Sequence, residues 1–335
     1  MTSPRLSVLD LTPFPSGSTA GTALRESVTL AQHVEALGYH RFWLAEHHNT
    51  GALACPAPEI LIGQVAAATR TLRVGSGGVM LPNYSPLKVA EWFRVLEALH
   101  PGRIDLGIGR APGTDQRTSL ALRRSPQALM AEDFPDRVQD LLAYLEDAPT
   151  ADGGRAVLAM PTGVPAPPVW MLGSSTFGAR LAATLGLGFA FAYHIDPAPA
   201  LAAFEIYRTA FRPTPRRESP EAILAVSAIC GESRAHAEDL ASSGDLLWVR
   251  FLGGDVHQRV PSVAEARAYA FTAGDRAIVG HVRSRLLLGT AADVAEQARG
   301  LARAFGASEV MVTTVVHDTA ERRASYTRLM EAWRG

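Results

Sequence analysis

Short runs rich in aliphatic, β-branched and aromatic residues recur along the whole chain, at 6–11, 41–44, 72–75, 104–107, 169–172, 188–193, 223–228 and 309–316. Between them, apolar residues return at helical spacing. Over 23–37, Leu24, Val28, Ala31, Val34 and Leu37 share a face while Arg25, Glu26 and Gln32 fall elsewhere. Gly38 follows where a helix favours a left-handed terminating residue. Ser85-Pro86 opens another helix, and Pro101-Gly102 closes the connection after it. Strands alternating with helices must run parallel, because each return needs a crossover. Eight such units predict an α/β fold, a (β/α)8 TIM barrel forming a single domain over residues 1–335. An open doubly wound sheet is the rival, but the first strand–helix turn lacks a dinucleotide glycine fingerprint.

Three segments exceed the minimal unit. Residues 110–134 read as a polar loop after the fourth strand, and 146–168 as a Gly/Pro-rich connection. Residues 246–289 form an insertion between the seventh strand and the last helix–strand pair. Trp248, Phe251, Tyr269 and Phe271 make that insertion too apolar for a linker, so it is expected to be a partly helical cover.

Hydrophobic residues make up 47% of the 335, enough for a large core, and charged residues 19%. The net charge is −1, and the basic residues, all arginine but Lys88, are scattered, which argues against a nucleic-acid partner. The longest mainly apolar stretch, 185–193, is about half of the ~20 residues a membrane helix needs. The opening Met-Thr-Ser-Pro-Arg has no signal-peptide pattern, so a cytoplasmic protein without a membrane partner is expected. Cys55 and Cys230 make no disulfide framework, and no ligand spacing predicts a metal site.

Barrel chemistry sits where strands hand over to the following loops. The second strand ends Ala45-Glu46-His47-His48-Asn49, placing at a strand end a carboxylate and two imidazoles, which titrate near neutrality and can transfer protons near pH 7; alternation sends the histidines to opposite sides, and a hydrogen-bonded structural pair is the alternative. The third runs through Gly75-Ser76-Gly77-Gly78-Val79, where glycine permits unusual dihedrals or close approach of a flat ligand; a plain tight turn reads equally well. The fourth gives Gly107-Ile108-Gly109-Arg110-Ala111, whose guanidinium suits a phosphate or a surface ion pair. The fifth leads through Leu172-Gly173-Ser174-Ser175-Thr176-Phe177-Gly178 into a helix, either an anion site or ordinary N-capping. The sixth ends Tyr193-His194. These features alone point to a phosphorylated ligand, with His47 and His194 as acid–base candidates.

Together with the 102–115 run and Val312-Thr313-Thr314, those motifs give a chain that resembles the bacterial luciferase-like flavin monooxygenases, in particular the branch of luciferase-family oxidoreductases. The resemblance covers nearly the whole chain. It implies FMN, in its reduced form a co-substrate from a separate NAD(P)H:flavin reductase, used with O2 to insert one oxygen into a small organic substrate. Hydroxylation, epoxidation and Baeyer–Villiger chemistry all fit, on an apolar or aromatic molecule, and a homodimer is implied. His47 matches the family's active-site histidine, with Glu46 and His194 as further catalytic candidates. Gly77-Gly78 falls where the family has a non-proline cis peptide beneath the flavin. Arg110 and the turn Ser175, Thr176, Phe177, Gly178 fall at the phosphate, Gly178 replacing a hydroxyl-bearing residue. Ser76, Gly109, Leu172, Gly173 and Ser174 complete the cofactor set, and Gly109 stands where light-emitting members have cysteine. A deazaflavin-dependent hydride-transferring oxidoreductase and a non-catalytic flavin-binding homologue are the alternatives.

Overall fold

All eight expected runs form strands in a computed structural model, which describes residues 4–335 except 112, 131 and 149–156. In chain order the strands are β1 (Arg5–Asp10), β2 (Arg41–Leu44), β3 (Arg73–Ser76), β4 (Val79–Met80), β5 (Ile104–Gly109), β6 (Val169–Gly173), β7 (Gly188–Ala192), β8 (Ala222–Gly231), β9 (Leu286–Thr290) and β10 (Glu309–Thr313). Every pairing is parallel, and β10 bonds both to β8 and back to β1, with Arg5 opposite Glu309. The ring β1-β2-β3-β5-β6-β7-β8-β10 is thus a closed eight-stranded barrel with helices between its strands. β4 pairs with the end of β5, while β9 pairs with the far half of β8, outside the ring.

Helix Ala20–Ala36 buries Ala23, Ser27, Leu30, Ala31 and Val34, so its core stripe is turned from the expected face. Leu24, Val28 and Leu37 pack along its margin. Gly38 adopts φ +77°, the left-handed conformation that ends the helix. Helix Pro86–Leu99 starts at Ser85-Pro86 as its sequence requires.

Two segments differ from expectation. The stretch 110–134 carries helices Gln116–Arg123 and Pro126–Met130. The first has a single buried side chain, Ser119, and is held by its cap: the Asp115 carboxylate accepts from the amides of Arg117 and Thr118. The insertion 246–289 contains the end of helix Arg234–Leu252, helices Val263–Ala268 and Ala273–Arg283, and the unanticipated β9. Both short helices begin with reciprocal capping boxes, Ser262 with Glu265 and Thr272 with Asp275. Of the connection 146–168, residues 149–156 lie outside those described. The flanks are gathered by the buried Arg94 guanidinium, which donates to the carbonyls of Tyr144, Ala159 and Pro161 and to Asp147.

The barrel interior is graded. At the N-terminal end Arg41 reaches Glu309 through two N–H groups and Asp105 through a third, at 2.7–3.0 Å, and Arg73 also binds Asp105. Above this charged plug, Trp43 and Trp170 meet edge to face at 5.7 Å, beside Leu9 and Met311. Higher still come Ala45, Ala190 and glycines, so the bottom is filled and the C-terminal mouth left open. No helix among the described residues is long and apolar enough to cross a membrane.

Candidate active site

The residues following β2 continue its alternation. Arg41 and Trp43 point inward, and so does His47; Glu46 and His48 turn outward. Glu46 is fully buried behind the barrel wall. One carboxylate oxygen accepts from His48 Nε2 at 2.7 Å and from the Tyr84 hydroxyl at 2.9 Å, and the other accepts from the Met80 amide at 2.9 Å. Glu46 therefore orients the second imidazole, not the first, and braces the segment after β3.

Among the described residues nothing bonds to the buried Nδ1 of His47. Burial, reinforced by the neighbouring His48 and His194 rings, lowers its pKa from 6.5 to about 4. His194 enters from the end of β7. Its Nδ1 and its backbone amide both lie within bonding distance of the Ala225 carbonyl, at 3.1 and 3.2 Å, so Nδ1 carries the proton and Nε2 is left as the acceptor. Burial lowers its pKa too, partly opposed by that carbonyl. The expectation of imidazoles titrating near neutrality is thus corrected: both rings are neutral at pH 7, because the mouth desolvates them.

Thr313 was not singled out from sequence as a site residue. It follows Glu309 and Met311 on the inward side of β10, and its buried hydroxyl meets no partner among the described residues. Only the parity of β10, once its register is known, reveals it.

The Gly77-Gly78 peptide is cis. Neighbouring strands account for the glycines there. A Cβ on Gly77 would stand 2.5 Å from Leu9 Cδ1, one on Gly78 2.8 Å from the Gly107 carbonyl oxygen, and one on Gly107 would overlap the Ser76 carbonyl. Ser76 is spent on this same seam, donating to the Gly107 carbonyl at 2.7 Å and accepting from the Gly107 amide at 3.0 Å. Leu172 packs over Gly78 and Gly107, and Gly109 lies beside Met80.

At the ends of β5 and β6, the Arg110 guanidinium lies 4.3 Å from the centre of the Phe177 ring. Among the described residues no carboxylate pairs with it. Ser175 occupies the N-cap of helix Thr176–Leu185 in extended conformation, yet its side chain makes no capping bond. The first-turn amides of Thr176 and Phe177 are therefore not satisfied by that hydroxyl. Gly173 and Gly178 approach closely where strand meets helix, and Ser174 beside them is partly exposed.

The loop after β2 and the segment after helix Arg234–Leu252 enclose a depression of about 380 Å³ that includes His47, His48, His257 and Arg259. His257 and Arg259 had no local motif to announce them.

A closed parallel barrel with two desolvated imidazoles at its C-terminal mouth, and beside them a guanidinium at a helix start that no described carboxylate pairs, is an enzyme's architecture. The chain belongs to the luciferase-like monooxygenase family, whose sequence model matches residues 5–309. It is 41% identical to the Luciferase-like monooxygenase of Escherichia coli (strain K12), over 97% of this chain and 96% of that one. It is 35% identical to the N-acetyl-S-alkylcysteine monooxygenase of Bacillus subtilis (strain 168), over 98% of each. The crystal structure of apo-MsnO8 superposes with a TM-score of 0.88 at 39% identity, covering 99% of this chain and 98% of that one. The chain is accordingly an oxidoreductase of the monooxygenase type.

Proposed function

We propose that the protein is a two-component monooxygenase that takes reduced FMN from a separate NAD(P)H:flavin reductase and, with O2, oxygenates a small organic substrate. The observation that carries this reading is Arg110 stacked on Phe177 beside first-turn amides that the Ser175 hydroxyl leaves uncapped. A phosphate monoester matches that arrangement in charge and in hydrogen-bond direction. The small residues above Trp43 and Trp170 leave room for a flat ring system, and the orphaned His47 Nδ1 and Thr313 hydroxyl offer it or its substrate polar contacts. A relative named for oxygenation of N-acetyl-S-alkylcysteine supports a small organic substrate.

Reduced FMN, when bound, supplies the electrons that activate O2. The rest falls to the chain. The filled barrel bottom keeps water from entering below the site. His47, neutral at pH 7, holds or moves a proton at its free ring nitrogen. His194 offers Nε2 as an acceptor from the far side of the same mouth. Glu46 acts at one remove, through Met80 and Tyr84.

Titration with FMN and riboflavin tests the phosphate assignment. A charge-assisted contact contributes roughly 1.5–3 kcal/mol, so Arg110→Ala should weaken FMN binding about ten- to a hundredfold and leave riboflavin binding unchanged. Equal affinity of the wild type for both flavins would overturn it.

A further inference from the structure

We propose that Arg259 forms, at the rim of the barrel mouth, a subsite for the carboxylate of an organic acid. This rests on reading His47 as the reacting end of the same depression. That depression, about 380 Å³, reaches from His47 to Arg259, and Leu53, Ala54 and Pro56 give it an apolar wall. Among the described residues no acidic side chain lines it.

Arg259, exposed at this rim, is held by contacts to Phe14 and Gly51 and has no carboxylate partner among the described residues. Its guanidinium carbon lies 3.7 Å from the Phe14 ring centre, and Nη1 donates to the Gly51 carbonyl at 2.6 Å. The remaining N–H groups of the fork meet no acceptor among the described residues. The segment that carries it is pinned on both sides. Gly51 N–H donates to the Val256 carbonyl at 2.8 Å, Ser16 N–H to the Val260 carbonyl at 2.9 Å, and Val260 N–H to the Phe14 carbonyl at 2.9 Å. A Cβ on Gly51 would overlap the His257 carbonyl, so the two loops are in direct contact.

A guanidinium already held by Phe14 and Gly51, with donors that meet no acceptor among the described residues, favours a planar two-oxygen anion, because little entropy is lost on pairing. The wall of Leu53, Ala54 and Pro56 suits the hydrocarbon part of such a molecule, which leads toward His47. The substrate class is therefore a small amphiphilic carboxylic acid, held by its charged end at Arg259 and oxidised along its chain.

The test compares hexanoate with hexanamide, nearly isosteric but neutral, titrated by NMR into the full-length protein. Hexanoate should bind at least about tenfold more tightly and shift the ring signals of His257, which hexanamide should leave in place. Arg259→Gln should remove the preference, Arg259→Lys should keep part of it, and thermal melting should show both variants folded. Arg110→Gln should leave the preference intact. Equal binding of the two probes to the wild type overturns the subsite, as does a preference that survives in folded Arg259→Gln. A preference lost in Arg110→Gln but kept in Arg259→Gln overturns it too, while leaving the flavin-phosphate reading standing.

Discussion

Glu46→Gln and Glu46→Ala should separate widely in stability, and the gap follows from what the carboxylate holds. Its oxygens accept from His48 Nε2, the Tyr84 hydroxyl and the Met80 amide, and the side chain has no exposure. Glutamine can keep its oxygen on the Met80 N–H and turn its NH2 toward Tyr84 and His48. Both can become acceptors, one by rotating a hydroxyl and the other by switching tautomer. The loss is then the difference between a charged and a neutral acceptor, about 1 kcal/mol. Alanine cannot compensate. It strands the Met80 amide, costing ~1–3 kcal/mol, and leaves a void that adds roughly another 1–2 kcal/mol. Guanidinium unfolding at fixed pH should place Glu46→Ala about 3 kcal/mol below wild type and Glu46→Gln within reach of it. Because Met80 pairs with Gly109 next to Arg110, the alanine variant should also bind FMN more weakly. The reasoning fails if both variants are as stable as wild type. It fails equally if Glu46→Gln is stable and binds FMN normally yet makes no product, which would put the carboxylate in contact with the reacting atoms.

Other expectations concern His47. His47→Ala should keep FMN affinity within a few-fold while product formation in a single turnover falls about a hundredfold, with hydrogen peroxide released in its place; undiminished coupling would pass the role to His194. Followed by NMR, the His47 ring should titrate near pH 4, and a midpoint between 6 and 7 would refute its desolvation. Its folded pKa lies below the free value of 6.5, as does that of His40, also near 4. The stabilisation their burial permits is therefore complete above about pH 6.5 and is lost as pH falls toward 4, where unfolding curves should show the decline.

The barrel strands were legible because a parallel strand is covered on both faces and reads as an unbroken apolar run. Residues 104–109 and 188–192 are buried almost throughout. β9 escaped for the converse reason: it lies outside the ring with alternating burial, and Leu286-Leu287-Leu288 reads equally as the end of a helix. Helix Gln116–Arg123 has no apolar stripe to detect, since its anchor is the Asp115 cap. The site candidates that motif resemblance offers, His47, His194, Arg110 and the 175–178 turn, are all local to a strand end. It grouped Glu46 with His47 because they are adjacent in sequence. That Glu46 serves Met80 and Tyr84 depends on donors more than thirty residues away, which no local pattern contains. Arg259 is a harder case: nothing marks it until residues 256–260 are seen joined to Phe14, Ser16 and Gly51.

The period of two along each strand does more than bury a core. On β2 it sets Arg41 in the charged plug, Trp43 in the apolar middle, Ala45 under the mouth and His47 at the rim, while Phe42, Leu44 and Glu46 face the helices. On β10 the same rule orders Glu309, Met311 and Thr313, and on β7 it orders Ala190 and Ala192, with His194 following in the turn after the strand. Inward side chains thus run from large and charged at the bottom to small at the top, ending in an imidazole or a hydroxyl. The plug needs long side chains that meet across the axis, and the mouth needs short ones that leave a cavity. Shifting β2 by one residue would bring Glu46 to the rim, bury His47 in the wall and pull Arg41 away from Glu309. Register, held by the plug at one end and by Glu46 at the other, therefore decides which side chains line this barrel mouth.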